Sequence, residues 1–213
     1  MARSSNTETR RAEITQALLT VIGQHGYEKA TIQSIALQAG LAPGLIHYHF
    51  KNKQEILVSL IDMMVSVARS RYERLLGNAA GPTQRLDAYL EARLGTGTGA
   101  SSETVAAWVM IGAEAVRQGE VRSIFSRILE QELAMLTQLL GDCLLEQRRE
   151  TKGAPAMAAG LLAMMEGAFQ LSSATINVMP VGYAAKVAKD FVTLNIESQP
   201  KAKLPNRKAK ATG

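Results

Sequence analysis

The sequence predicts an all-α chain of about nine helices: a three-helix N-terminal head, a long linking helix and a larger helical domain. Three observations predict it. Apolar residues recur at i, i+3, i+4 and i+7 along most of the 213 residues. No segment shows sustained strand alternation, and no repeat of fixed period is visible. Glycine, proline or a Ser/Thr/Asn cap falls at the breaks between stripes.

The first helix is expected from about Glu8 to His25, on the stripe Ile14, Ala17, Leu18, Val21 and Ile22, with Gly26 as its stop. Thr31 caps the second, whose inner face is Ile32, Ile35, Ala36 and Ala39. Gly40 ends it, because glycine enters the left-handed region without steric penalty. Leu41 packs beneath the bend, and Pro43 suits the first position of a short third helix ending near His49. On that helix Ile46 and Phe50 share one face; Pro43, Gly44, His47 and Tyr48 lie on the other. Two short helices at a tight turn make a helix-turn-helix, whose second helix enters the major groove of DNA.

Asn52 and Glu55 suggest a capping box opening a long helix, with Ile56, Leu57, Leu60, Ile61, Met64, Val67 and Ala68 running toward Leu75. After a connector at 77–82, Leu86, Tyr89, Leu90 and Leu94 mark another helix. The run GTGTGASS at 95–102 lacks the preceding strand and the spacing of a dinucleotide fingerprint, so it reads as a loop. Ser102 is expected to cap a helix bearing Val105, Trp108, Val109, Gly112 and Val116. From Gly119 to about Arg149 a long helix carries Phe125, Leu129, Leu133, Leu136, Leu140 and Leu144. Pro155 opens the next, reaching Asn177, rich in Ala and Gly. After Pro180 a last helix spans about Gly182 to Ile196, on Ala184, Val187, Ala188, Phe191 and Val192.

The set Gly40, Gly44, Tyr48, His49, Phe50, Lys53 and Leu57, within residues 31–57, resembles the TetR family of one-component transcriptional regulators. Three positions depart from the commonest pattern: Ala42 for Ser, Leu45 for Thr or Ser, and His47 for Tyr. Residues 158–192, AAGLLAMMEGAFQLSSATINVMPVGYAAKVAKDFV, resemble the last two helices of BetI-type members, with Phe169 where Trp is usual. The resemblance implies a sequence-specific regulator, most simply a repressor released from a palindromic DNA operator by a small-molecule effector. It also implies a homodimer through residues 155–197. By position, Gln33, Pro43, Gly44 and His47 would approach bases; Thr31, Tyr48, His49 and Lys53 would hold phosphates. The implied organisation is a DNA-binding head at 1–52, an effector-binding and dimerisation domain at 53–197 and a disordered basic tail at 198–213.

The net charge of +5 is located wholly in that tail, where Lys201, Lys203, Arg207, Lys208 and Lys210 meet no acid; residues 1–197 carry 19 basic and 19 acidic side chains. Within residues 1–55 the balance is six to four. Bulk charge therefore does not supply the head's grip on phosphate, and two heads acting together are needed. The single Cys143 excludes an internal disulfide and fits a reducing cytoplasm. The polar start has no apolar signal core, and the most apolar stretch, 154–185, is interrupted by polar residues, so no membrane association is expected.

His47 and His49 point about 200° apart on a regular helix and cannot chelate one ion. Neither metal nor cofactor is expected. No nucleophile elbow or zinc-protease motif is present, which argues against an enzyme. Glu114, Glu132 and Glu166 interrupt apolar helices; Trp108, Glu114, Phe125, Glu166 and Phe169 are the candidate effector residues, suited to a cationic or amphipathic molecule. Two other readings fit the residues: a DNA-binding dimer without an effector, and an all-α small-molecule carrier with a degenerate head.

Overall fold

Two left-handed glycines shape the head. Gly26 (φ 80°) turns the chain out of α1 (Ala2–His25), and Gly40 (φ 66°) ends α2 (Ile32–Ala39), donating its N–H to the carbonyls of Ala36 and Leu37. Both φ values penalise a side chain. The short α3 (Pro43–His49) follows, then α4 (Lys53–Leu76), α5 (Pro82–Leu94), α6 (Ser102–Arg117), α7 (Gly119–Glu146), a 3-10 turn (Thr151–Gly153), α8 (Ala154–Ala174) and α9 (Tyr183–Ser198). This computed structural model describes residues 2–77 and 81–202, and of residues 2–5 only the backbone. Among the described residues there is no strand, and no helix is long and apolar enough to cross a membrane.

Ile14, Leu18 and Ile22 of α1 meet Ile35, Ile46, Phe50 and the Ile56, Leu57, Leu60 stripe of α4, all at most 1% exposed. Each such burial is worth roughly 1.5–3 kcal/mol, which is what holds the short α2 and α3 against α1 and α4. The same cluster runs on into Ala107, Ile111 and Ala115 of α6 and Val121 of α7, so the head's core continues across the long helix. A second core joins Leu86 and Leu90 of α5, Leu136, Leu140 and Leu144 of α7, Met157, Leu161 and Met165 of α8, and Ala188, Val192 and Ile196 of α9.

Several expectations shift. The first helix starts at Ala2 rather than Glu8, because no Gly or Pro interrupts it before Gly23. Asn52 accepts from the Glu55 N–H at 2.9 Å, but Glu55 reaches back to the Lys51 N–H at 2.8 Å, one residue short of a capping box. Along α4, Val67 and Leu75 are exposed, and Arg71 is buried in their stead with its guanidinium on the Gly95 carbonyl at 2.6 Å. The loop at 95–101 is thus packed over α4, with Arg74 also donating to Thr98. Ser101, not Ser102, caps α6, and Val116 is 73% exposed while Ala107, Ile111 and Ala115 face inward. Packed against α1, α7 and α8, α6 is oriented by three neighbours, a constraint one stripe does not encode. Helix α8 stops three residues short of Asn177, and Val187 of α9 is exposed. Of the expected disordered tail, Ser198 ends α9, and residues 199–202 are pinned: Glu150 donates to Pro200, Ala202 to Arg148, and the Arg149 guanidinium to Gln199. The rest of the tail, with Lys203, Arg207, Lys208 and Lys210, lies outside the described residues.

Candidate nucleic-acid interface and effector site

Helix α3 is seated by Ile46 and Phe50 and leaves Pro43, Gly44, His47 and Tyr48 exposed, Tyr48 by 75%. A Cβ added at Gly44 would meet nothing within 4 Å. The chain's own packing therefore does not require glycine there, whereas a surface approaching from outside would. Gln33 is exposed on α2. The Thr31 hydroxyl accepts from the Ser34 N–H at 3.1 Å while the Ser34 hydroxyl accepts from the Thr31 N–H at 2.9 Å, a reciprocal cap that fixes where α2 begins.

His49 is set apart from its neighbours. It is half-buried, its ring lies edge-on to Tyr48 at 5.0 Å, and its Nδ1 is buried without a protein partner. Its carbonyl accepts from Arg11, whose guanidinium lies 3.9 Å from the centre of the Phe50 ring and pairs with Glu55 at 3.3 Å. Arg11 locks the end of α3 to α1 and α4, a role the sequence did not reveal. Its only signal there is a position one turn before the buried Ile14.

Lys53 is the expected phosphate contact at the start of α4. Its ammonium donates to the Tyr27 carbonyl at 3.0 Å and sits 4.1 Å from the centre of the Tyr27 ring. Burial lowers its pKa, opposed by the charges of Glu114 and Glu28. The Tyr27 phenol, buried and unpartnered, is pushed up to about 12 by burial and then by Glu120 and Glu114. Around this corner Arg117 pairs with Glu28 at 2.9 Å and Gln54 donates to Glu120 at 2.6 Å, tying the head to the α6–α7 elbow.

The candidate effector residues divide. The Trp108 indole N–H is shared between both carboxylate oxygens of Glu166, at 3.0 and 3.2 Å, and its ring stacks on Phe125 at 4.6 Å. Gly112 allows this closeness, since a Cβ there would stand 3.1 Å from Phe125 Cζ. Phe169 joins from α8, with the Arg93 guanidinium 5.6 Å from its ring centre. Arg93 also pairs with Glu132 at 3.0 Å, and Glu132 accepts from the Tyr89 hydroxyl. Tyr89 in turn meets Tyr72 edge-on at 5.5 Å. Glu166 is held above the usual carboxylate range by burial, with the Trp108 N–H and Arg93 pulling it back. Glu114 does not belong here. It is buried toward the head, accepts from Gln118 at 2.7 Å and acts on Tyr27 and Lys53. Six residues along α6 from Trp108, it projects about 120° away around the helix axis, which the sequence stripe alone did not weigh. Arg93 was missed because it reads from sequence as a solvated charge on α5, and Tyr89, expected on the apolar stripe and buried there, gave no sign that its hydroxyl would meet Glu132; both partners appear only once α7 and α8 pack against α5. A cleft of about 320 Å³ lies elsewhere, between Glu91, Gly95, Thr96 and Lys186, Lys189, Asp190. Among the described residues no three His, Cys, Asp or Glu side chains gather as a metal site requires.

Comparison with known proteins matches residues 14–60 to the bacterial regulatory proteins of the tetR family and residues 82–196 to the C-terminal domain of BetI-type transcriptional repressors. The chain belongs to the TetR family. A relative from Rhizobium meliloti, an HTH-type transcriptional regulator BetI, is 30% identical over 202 residues, covering 92% of this chain and 94% of that one. Its namesake from Agrobacterium fabrum is 29% identical, covering 90% of each. Among solved structures, a transcriptional regulator from Rhodococcus superposes with a TM-score of 0.73 at 19% identity, over 92% of this chain and 99% of that one. A proposed regulator from Saccharomonospora viridis, in complex with choline, gives a TM-score of 0.70 at 19% identity, over 92% and 100%. This TetR-family member is thus a transcriptional regulator with a DNA-binding helix-turn-helix and a BetI-type C-terminal domain, and not an enzyme. The carrier reading is set aside.

Proposed function

We propose that the chain is a homodimeric repressor that leaves a palindromic operator when a small quaternary ammonium compound, of which choline is the simplest candidate, binds beside Trp108. The observation that carries this is the half-buried Glu166 carboxylate against the Trp108 and Phe125 rings, with Glu132 and Phe169 nearby. Aromatic faces attract a cation that has no hydrogen to donate, and a desolvated carboxylate supplies the opposing charge. The choline-bound neighbour supports the same chemistry.

In this reading residues 1–52 form the head and 53–197 the effector and dimer domain. Gln33, Pro43, Gly44 and His47 face bases, and Thr31, Tyr48, His49 and Lys53 face backbone. Dimerisation uses α8 and α9, whose outward Leu171, Val187 and Leu194 are exposed in the single chain. Two heads then dock one helical turn, or a multiple, apart on DNA. The ligand acts by binding more tightly to dimers whose heads do not match that spacing. The link is α4, whose start is bound through Lys53, Gln54 and the α6–α7 elbow.

The test is selection of bound DNA from a random pool, followed by anisotropy titration of the enriched operator with and without choline. A palindrome released by choline is expected. No enriched palindrome removes the DNA assignment, and a palindrome indifferent to choline and to other quaternary ammonium compounds removes the effector assignment.

A further inference from the structure

The first turn of α3 is chemically bare. Ala42, Pro43, Gly44 and Leu45 are all exposed, and none carries a side-chain hydrogen-bond donor or acceptor. Pro43 lacks a backbone N–H as well. Yet this is the part of a recognition helix that reaches base edges. The side chains of four such residues can read a base only by shape and by apolar contact. The major groove offers one apolar group, the C5 methyl of thymine.

Leu45 is the side chain suited to it. It is 37% exposed, whereas Ile46 beside it is fully buried. At 100° per residue, Leu45 and His47 flank the outward line of Gly44 and Tyr48. Gly44, with open space where a Cβ would stand, lets the helix come close enough for a neighbouring leucine to touch the groove floor. We propose that Leu45 reads a thymine methyl in each operator half-site, with hydrogen-bond readout left to residues such as His47 and Gln33. The inference rests on the docking of α3 in the major groove.

The test replaces thymine by deoxyuridine, one position at a time, in the operator enriched by the full-length protein. Removing one methyl from a contact costs about fourfold in affinity per half-site, and about fifteenfold when both half-sites are changed. The parent should show that loss at one position per half-site. Leu45→Ala should bind more weakly and treat thymine and uracil alike there. Leu37→Ala, an exposed leucine on α2, should keep the discrimination. Because Leu45 is 37% exposed, its variant should lose only part of a buried leucine's stability and remain folded under the binding conditions, which thermal melting checks. A parent indifferent to uracil throughout overturns the proposal while leaving the DNA-binding assignment standing, as does discrimination that survives Leu45→Ala. Failure to enrich any operator removes both.

Discussion

The Lys53 ammonium donates to the Tyr27 carbonyl at 3.0 Å and lies 4.1 Å from the centre of the same tyrosine's ring. One side chain thereby pins the first turn of α4 to the corner between α1 and α2. A charge spent inside the protein is only partly available to a phosphate, so on DNA Lys53 must either swing outward or act through the position it gives α4.

Salt dependence separates those roles. Lys53→Ala should lose about 1–2 kcal/mol of stability from the charged hydrogen bond and the ring contact. If the ammonium also meets a phosphate in each half-site, the slope of log affinity against log salt falls by about 2 for the dimer. We expect that decrease. An unchanged slope in a folded, dimeric variant assigns Lys53 to positioning alone.

Glu166→Gln should separate stability from response. Because the folded carboxyl titrates above its unfolded value of 4.5, the native state binds more protons between the two. The stability Glu166 contributes is present below the unfolded value and lost as pH rises through the folded one. The parent should therefore lose stability relative to Glu166→Gln across that interval, and the variant should be the more stable at neutral pH. It should no longer respond to choline. Trp108 is the only tryptophan, so its fluorescence reads the site directly, and an unaltered choline titration in the variant would refute the assignment.

Phe50 is 1% exposed beneath α3 and faces Arg11 across 3.9 Å. Phe50→Ala should cost roughly 3–5 kcal/mol in urea unfolding, through the lost transfer energy and the remaining cavity. The exposed His47→Ala should stay within about 0.5 kcal/mol of the parent while weakening operator binding. Equal destabilisation of both would contradict the division of α3 into a buried and an outer face.

Cys143 is fully buried on α7, and burial pushes its thiol up to about 11, with Thr83 opposing. It should react with a disulfide reagent at pH 8 only as fast as the protein opens, and promptly in urea. Prompt reaction of the folded protein would place Cys143 in a more open α5–α7 contact than the one described.

The sequence by itself determined the helical class, the helix-turn-helix with its Thr31 cap and Gly40 turn, and the inward face of α3. These are local matters: a 3.6-residue period, a cap two or three residues away and a left-handed glycine are written within a dozen residues. The inward set of Ile35, Ile46, Phe50, Ile56, Leu57 and Leu60 was legible for the same reason. Tertiary structure alone decided the partners of charged and polar side chains. Lys53 turns to Tyr27, Arg11 to His49 and Phe50, and Arg71 to Gly95, because a long flexible side chain goes to whichever carbonyl or ring a distant helix brings within reach. The effector site divided likewise: Trp108 and Glu166 lie 58 residues apart and meet only where α6 crosses α8, while Glu114, six residues along from Trp108 on the same helix and about 120° around it, faces the head. Periodicity tells which side of a helix is buried, and only the neighbour packed against that side tells what it is buried for.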